Sequence, residues 1–334
     1  MKNILVTGGL GYIWSHMVTT LVEQWYDAII LDNLSNSSLD TLEEIKKITG
    51  QDIPFIQGDT RDEKILESIC TQYTIDAVMH FAGAKSVGES CENPWFYFDN
   101  NVHGTIQLLN VMQQYGIKNI IFSSTCVVYG SSPVPFTEET PTGDTTNPYA
   151  TSKWLCEKLL QDYVRFVGMK VISLRYFNPI GNHPTGIIYE KVSGRPNNIF
   201  PFILKVLTGE LSELSVFGND YPTKDGTGIR DYIDIMDLVD WHIAALQYIS
   251  SLPNDTGFFD TFNLGTGKGS SVLELVQAVE EVAQTKIPYH IKGRRSGDIA
   301  VLYTSVEKAK KILWREAKYT IEDSIRNALK TIRN

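Results

Sequence analysis

A tyrosine and a lysine one helical turn apart, Tyr149 and Lys153 in YATSK, are the residues whose types and spacing most directly suggest chemistry. At i and i+4 they share one helix face. A phenol of pKa about 10 is a poor base near neutrality, but a close ammonium and a second cation both favour the phenolate. The lowering required is worth roughly 4 kcal/mol, within reach of two cations in a shielded site. An incidental Tyr and Lys on a surface helix would spell the same letters. Ser123-Ser124-Thr125, at the end of the apolar run before this helix, weighs toward catalysis. Strand ends of open α/β sheets carry ligand-binding groups, and a hydroxyl there can share a substrate proton with the phenol.

The second signal is Thr7-Gly8-Gly9-Leu10-Gly11-Tyr12-Ile13 after the apolar run Ile4–Val6. A glycine-rich turn between a first strand and a first helix lets backbone N–H groups approach a pyrophosphate. A tight strand-to-helix turn is the bland alternative. Asp32 at the end of the second apolar run adds a carboxylate suited to both hydroxyls of an adenosine ribose. The following Asn33-Leu34-Ser35-Asn36 holds no cation for a 2′-phosphate, so NAD is favoured over NADP. Gly58-Asp59 and Phe81-Ala82-Gly83 put further polar and small groups at the ends of the next two runs.

These residues need elements to hold them. Apolar runs at Ile4–Val6, Ala28–Leu31, Ile53–Ile56, Ala77–His80, Asn119–Phe122 and Val171–Leu174 alternate with helical periodicity at Ile13–Glu23, Leu39–Ile48, Lys64–Gln72, Gly104–Tyr115 and Tyr149–Val167. That alternation predicts an α/β fold with a Rossmann-type, doubly wound parallel sheet. After Arg175 the texture changes to long loops rich in proline and glycine, Asn178–Pro201 and Phe217–Arg230, and to helices with brief strands. Residues 1–176 are expected to form the nucleotide domain, with part of 233–262 packing back onto it. Residues 177–334 are expected to form a smaller α/β substrate domain.

The 334 residues carry a net charge of −9 and are 43% hydrophobic and 21% charged. This is an ordinary globular composition, and its acidity argues against a nucleic-acid or anionic membrane partner. Cys70, Cys91, Cys126 and Cys156 show no CxxC and no cysteine–histidine ligand spacing, which predicts a reduced, cytoplasmic protein without a bound metal. The start MKNILVTGG reads as a strand, not a signal peptide, and no apolar run is long enough for a membrane span. His80 reads as a core strand histidine and His183 as a loop residue; neither is assigned a role.

TGGxGYI, the Ser/Thr–YxxxK order and LRYFNPxG together resemble the extended short-chain dehydrogenase/reductases. LDNLSNSS, HFAGAKSVGES, DNNVHGT, LRYFNPIGNHPTG, PNNIFPFI, VFGNDYPTKDGTGIRDYI and FNLGTGKGSSVLE are similar, nearly end to end, to the UDP-glucose 4-epimerase family within them. The resemblance implies a held NAD that takes a hydride from C4 of a UDP-hexose and returns it to the other face, interconverting UDP-glucose and UDP-galactose. It implies that Tyr149 is the base for the 4-hydroxyl, Lys153 its electrostatic partner and a ribose ligand, and Thr125 the hydroxyl on the 4-oxygen. Gly8, Gly11, Tyr12, Ile13, Asp32, Asn33, Asn36, Asp59, Thr60, Phe81, Ala82, Gly83, Lys85, Asn100 and Phe177, with the three catalytic residues, match cofactor contacts. Lys85, Thr125, Tyr149, Asn178, Asn198, Phe217, Arg230, Arg295, Asp298 and Leu302 match the substrate side. Arg230 and Arg295 lie in loop-like GTGIRD and GRRSGD, suited to gripping a diphosphate, although either alone would read as a surface residue. Leu302 stands where the family often has tyrosine, so UDP-N-acetylhexosamines are expected as weaker substrates. The resemblance also implies a homodimer through Gly104–Tyr115 and Tyr149–Val167, for which Leu155, Leu159, Leu160 and Val164 offer a face; core packing is the alternative.

Trp14, Trp25 and Trp241 stand where the family has glycine, Ala150 where it usually has glycine, and Asp234 where it usually has histidine. An indole at position 14 is expected to overpack the helix–strand junction, either tilting the first helix or finding a gap. Two rivals follow. A 4,6-dehydratase would share the fold and the Tyr/Lys pair, but it carries acidic residues after the strand-end Thr, where this chain has Cys126-Val127. A cofactor-poor binding protein would keep the fold and lose the nucleotide site to Trp14.

Overall fold

Runs of β-branched residues flanked by amphipathic helices form the expected sheet. A computed structural model of the protein describes residues 2–191, 198–253, 256–295 and 298–333. Strands β1 (Asn3–Thr7), β2 (Asp27–Asp32), β3 (Phe55–Gln57), β4 (Ala77–His80), β5 (Asn119–Thr125) and β6 (Lys170–Tyr176) join Phe258–Leu264 in a seven-stranded sheet. From one edge the order is Phe258–Leu264, β6, β5, β4, β1, β2, β3. β1 pairs in parallel with both β2 and β4, so the winding reverses at β1, the switch point at which open α/β sheets bind ligands. β6 is buried along its whole length, as a strand covered on both faces must be. The third strand starts later than the sequence suggests. Pro54 has no N–H to give a ladder, and only its carbonyl pairs, with the N–H of Ile30 at 2.9 Å.

The chain divides into two compact units. The first comprises Met1–Gly130, Pro141–Arg175 and Trp241–Phe262. Its core joins Leu5, Ile29, Leu31 and Val78 of the strands to Leu66, Leu108, Leu109, Met112, Cys156 and Leu160 of the helices. Leu160 is thus core, whereas Leu155, Leu159 and Val164 are only partly buried.

The second unit comprises Ser131–Thr140, Tyr176–Asp240 and Asn263–Asn334. Its first segment is a departure from a simple N-terminal and C-terminal split. Phe136 donates its N–H to the carbonyl of Tyr303, and its own carbonyl accepts from Ser305 N and Thr304 Oγ1, which ties it to distant chain. Three small sheets build this unit. Ile229–Arg230 lies between Ser270–Ser271 and Val301–Leu302, Leu214–Phe217 pairs with Tyr289–Lys292, and Asn178–Ile180 pairs with Tyr232–Asp234. Phe200, Ile203, Leu275, Val279, Ile287 and Ile325 fill its core. Residues 192–197, within the long loop expected to bind ligand, lie outside the described residues. No described helix is long and apolar enough to cross a membrane.

Candidate active site

The Tyr149 helix, Pro148–Val167, starts where the sequence gives it a cap: Asn147 Oδ1 accepts the N–H of Ala150 at 2.9 Å, and Pro148 occupies the first turn. Ala150, at a usual glycine position, is fully buried without penalty to this start. The cap places Tyr149 in the first turn, where its phenol shares a hydrogen bond with the hydroxyl of Thr125 at the end of β5. One turn on, Lys153 donates Nζ to the carbonyl of Ser123 at 2.9 Å and lies 4.9 Å from the ring centre of Phe122. The three residues expected to do chemistry therefore form one cluster. Burial pushes the Tyr149 phenol up to about 12, with the Thr125 hydrogen bond working against it. Burial brings the Lys153 ammonium down to about 8, while Cys156 and Glu157 favour its charge. The protein alone thus keeps the phenol neutral, and a further cation is needed to make it a base at neutral pH.

The ends of β1 and β4 come together beside this cluster. Thr7 Oγ1 accepts from the N–H groups of Phe81 and Ala82 at 3.1 and 3.2 Å and meets His80 Nδ1 at 2.8 Å. His80 Nε2 reaches Thr105 at 2.9 Å, and burial drives its pKa to about 3, so it is a neutral core residue. Gly8 has φ +71°, and a Cβ there would sit 3.0 Å from Ala82 N; glycine is required by both conformation and space. Asp32 is buried and accepts from Leu10 N at 3.0 Å, Leu34 N at 2.9 Å and Ser37 Oγ at 2.8 Å, which aims its carboxylate from the second strand end. Asn33 donates to Asp59 at 2.8 Å; burial opposes ionisation of Asp59, but Arg61 and Asn33 outweigh it and hold the acid at about 2. Thr60 is buried against Gly104, and Ile13 is buried behind the turn, while Asn36 and Lys85 are exposed.

Gly83 leaves room for Asn101 and Lys153: an added Cβ would lie 3.1 Å from Asn101 Oδ1 and 3.4 Å from Lys153 Nζ. Asn100 and Asn101 both accept from Ala84 N, at 3.3 and 2.8 Å, from a π-helical turn over Phe98–His103. Asn101 also donates to Ser152 at 2.9 Å and so braces the catalytic helix. Sequence reading named Asn100 but missed Asn101; only the widened turn reveals which amide points inward.

Trp14 does not overpack the junction. Its indole lies flat on Phe81, 3.6 Å between ring centres and 4° from parallel, and edge-on to His242 at 5.9 Å. The helix α1 (Tyr12–Glu23) forms from its first turn with Gly11 as N-cap, so the indole is accommodated beside the glycine turn.

In the second unit, Phe217, Arg230, Arg295, Asp298 and Leu302 assemble into a second cluster. Arg295 Nε donates to Asp298 at 2.9 Å, and its guanidinium stacks 5.1 Å from the ring of Phe217. Arg230 stands 3.9 Å from the same carboxylate and pairs in register with Leu302, which is buried. Tyr221 and Tyr232, not singled out by sequence, are buried beside these arginines, and neither hydroxyl has a partner among the described residues. Asn178 pairs in register with Tyr232 and gives its N–H to Asp231 O at 2.9 Å. Asn198 precedes the helix Ile199–Leu207 without capping it, and Phe177 is buried against Phe136. Asp231 anchors the loop beside Arg230 by accepting from Thr266 and Gly267.

The first cluster can take a proton from a hydroxyl, and the glycine turn with Asp32 fits a dinucleotide. The second cluster can hold an anion. The model of the GDP-mannose 4,6 dehydratase family matches residues 5–328 and describes a broader set of sugar-nucleotide enzymes. A UDP-glucose 4-epimerase of Neisseria meningitidis serogroup A is 49% identical over 332 residues, 98% of this chain and 97% of its own. The chain belongs to the UDP-glucose 4-epimerase family. UDP-glucose 4-epimerase 2 of Arabidopsis thaliana is 49% identical over 98% of this chain and 93% of its own. The solved epimerase of Bifidobacterium longum, a complex with NAD+ and UDP, matches with a TM-score of 0.95 at 45% identity, covering 99% and 98% of the two chains. The dehydratase alternative lacks its chemistry here: Cys126 and Val127 follow Thr125 as a buried cysteine and an aliphatic residue, with no acid in either place.

Proposed function

We infer that the protein interconverts UDP-glucose and UDP-galactose, with NAD as its cofactor. The meeting of Thr125, Tyr149 and Lys153 in a chain of this family is the observation that carries the reading. NAD supplies a hydride acceptor and donor and, once oxidised, a positive ring. The residues that would hold it are the Gly8–Gly11 turn, Asp32, Asn33, Asp59, Phe81, Lys85 and Asn100, with Lys153 on a ribose hydroxyl. Tyr149 takes the proton of the sugar 4-hydroxyl as hydride leaves C4 and gives it back when hydride returns to the opposite face. Thr125 orients the 4-oxygen toward the phenol. Lys153 supplies one of the two cations that an enclosed phenol needs, and the positive ring of a bound NAD would be the other.

Arg230 and Arg295 take the diphosphate, for which their present partner Asp298 is a weak substitute. The hydroxyls of Tyr221 and Tyr232, without partners among the described residues, fit the same anionic ligand. Leu302 is smaller than tyrosine but not small, which supports weaker activity on UDP-N-acetylhexosamines than on UDP-glucose and UDP-galactose. A homodimer would use the exposed faces of Gly104–Gln114 and Pro148–Val167, and a cytoplasmic setting suits four free cysteines. Purified protein given UDP-galactose should form UDP-glucose, and denaturation should release bound nicotinamide cofactor. Absence of interconversion in protein that retains its cofactor would overturn the reading.

A further inference from the structure

The catalytic helix carries a third residue on the face of Tyr149 and Lys153, again one turn further on. Glu157 is 2% exposed, and every donor it meets comes from another element. Its Oε1 accepts from Ser124 Oγ at 2.6 Å, Ser173 Oγ at 3.0 Å and Arg175 Nε at 2.9 Å. Its Oε2 accepts from Arg175 Nη2 at 2.6 Å, and Arg175 Nη1 donates to Tyr129 Oη at 2.8 Å. Ser124 stands between Ser123, whose carbonyl holds Lys153, and Thr125, whose hydroxyl meets Tyr149. One carboxylate therefore ties the helix of the base to the strand end of its hydroxyl partner, and both to β6.

A buried ion pair is weak evidence for stability, because desolvation cancels most of its attraction and an apolar pair of similar volume often serves as well. What such a pair does supply is registry. We propose that Glu157 is a positioning residue for the epimerase reaction, fixing the helix of Tyr149 and Lys153 in register with Ser123–Thr125 by binding Ser124 and Arg175 at once. This rests on the activity inferred above. Glu157 is buried with both carboxylate oxygens taken by protein donors, so its loss should lower turnover and leave binding alone. A second consequence is electrostatic. The ionisable groups around Lys153 are Tyr149, Cys156 and Glu157 of its own helix and His80 of β4, with Cys126 facing Tyr149 and Arg175 beyond Glu157. Among these Glu157 is the anion, so neutralising it moves the loss of the Lys153 proton to lower pH.

The test compares the parent holoenzyme with Glu157→Gln and with Glu157→Gln/Arg175→Met, which removes both charges together. The expected result for the double variant is a melting temperature near that of the parent, kcat down about tenfold to a hundredfold and KM within about twofold. Glu157→Gln should in addition shift the alkaline limb of its rate profile to lower pH. A stably folded double variant with parental kcat overturns the proposal, and so does Glu157→Gln with parental kcat and pH profile. If the single variant does not fold, the double variant decides. A parent protein that retains NAD but does not interconvert the UDP-hexoses would instead break the functional reading and leave the positioning argument without its reaction.

A separate observation concerns tryptophan. Of the four described non-glycine residues with positive φ, two are tryptophans, Trp25 at +65° and Trp314 at +54°. Both follow helix ends, and both are more than 80% exposed, so the indoles make no use of their apolar surface. At the first, Trp25 N bonds to Val22 O and Tyr26 N to Leu21 O, the pattern of a Schellman motif whose left-handed residue is usually glycine. The helix Gly104–Gln114 closes with the same two bonds around Gly116, from Gly116 N to Gln113 O and from Ile117 N to Met112 O. Trp241 is buried with its indole N–H unpartnered among the described residues, and Trp14, like Trp25 and Trp241, stands where the resemblance places a family glycine. We infer that positions 14, 25, 241 and 314 are glycine sites and that the host reads their codons as glycine. UGA is such a triplet, read as stop, tryptophan or glycine in different genetic codes. The gene should carry UGA at all four positions, and peptides of the protein from its host should have glycine masses there. UGG codons with tryptophan-mass peptides would overturn the inference.

Discussion

The two clusters of polar residues are built in opposite ways. Around Tyr149 the donors and acceptors are buried and matched: Lys153 to Ser123, Asn101 to Ala84 and Ser152, Glu157 to Ser124, Ser173 and Arg175. Around Arg230 and Arg295 the charges share one carboxylate, one of them at 3.9 Å, and two buried tyrosine hydroxyls have no described partner. The first arrangement has its hydrogen-bond geometry in place before any ligand arrives, as proton transfer requires of groups that must meet within hydrogen-bond reach. The second is under-satisfied among the described residues, as a cluster that awaits an anionic ligand would be. The geometry around Tyr149 is fixed by the fold, whereas the pairing around the two arginines is left unfinished.

The largest effect that tests this contrast is Tyr149→Phe. Turnover of UDP-galactose should fall 10²–10⁴-fold, as for loss of a general base, while NAD content and melting temperature stay at parental values. Turnover within a few-fold of the parent would remove Tyr149 from its role. Truncating the other cluster should act on binding. Arg295→Ala should raise KM and lower kcat/KM by roughly tenfold to a hundredfold, about 1.5–3 kcal/mol for a lost charged hydrogen bond, with kcat little changed. A fall in kcat alone would show that the second cluster is as preorganised as the first.

A third test uses a buried acid that belongs to neither cluster. Burial raises Asp234 to about 6, against the hydrogen bonds it accepts from Ser324 Oγ and Met236 N. Its folded pKa lies above its unfolded value, so the fold is favoured by the protonated acid and loses stability as pH rises from about 4 to about 6. Asp234→Asn should remove that loss and raise stability at pH 7 by about 1–3 kcal/mol, read as the denaturation midpoint against pH. An unchanged pH dependence would mean that the unfolded chain feels the same environment. The smallest expected effect is Trp25→Gly, which relieves a left-handed backbone at an exposed helix end. It should stabilise by about 1 kcal/mol in thermal melts and leave turnover untouched. A lower melting temperature would show that the indole contributes something the glycine site does not need.

The legibility of the molecule follows from the range of its interactions. The glycine turn, Asp32, the strand-end Thr125 and the Tyr149–Lys153 pair were readable because each depends on neighbours in sequence and on a repeating strand–helix period. Glu157 was equally visible as a further member of that helix face, but its meaning lies in Ser124, Ser173 and Arg175, which no local pattern links. Tyr221 and Tyr232 look like ordinary core aromatics until their hydroxyls are found without partners among the described residues. The start of β3 depended on one missing N–H at Pro54. The fate of Trp14 depended on a flat contact with Phe81, a residue from another strand end. The helix end at Trp314 was unreadable for a different reason, since backbone sign is not written in a tryptophan.

The order in which the ribosome delivers the sheet carries its own consequence. β6 is complete at Tyr176, yet its outer neighbour Phe258–Leu264 follows only after most of the second unit's central segment has been made. During that interval a strand that ends up fully buried stands at the sheet margin with the N–H and C=O groups of its outer edge unpaired, a template for association with other nascent chains. Synthesis of this protein therefore contains a window of exposure that closes when the late strand docks. Slow elongation between residues 176 and 258 should increase its dependence on chaperones more than the same delay anywhere earlier.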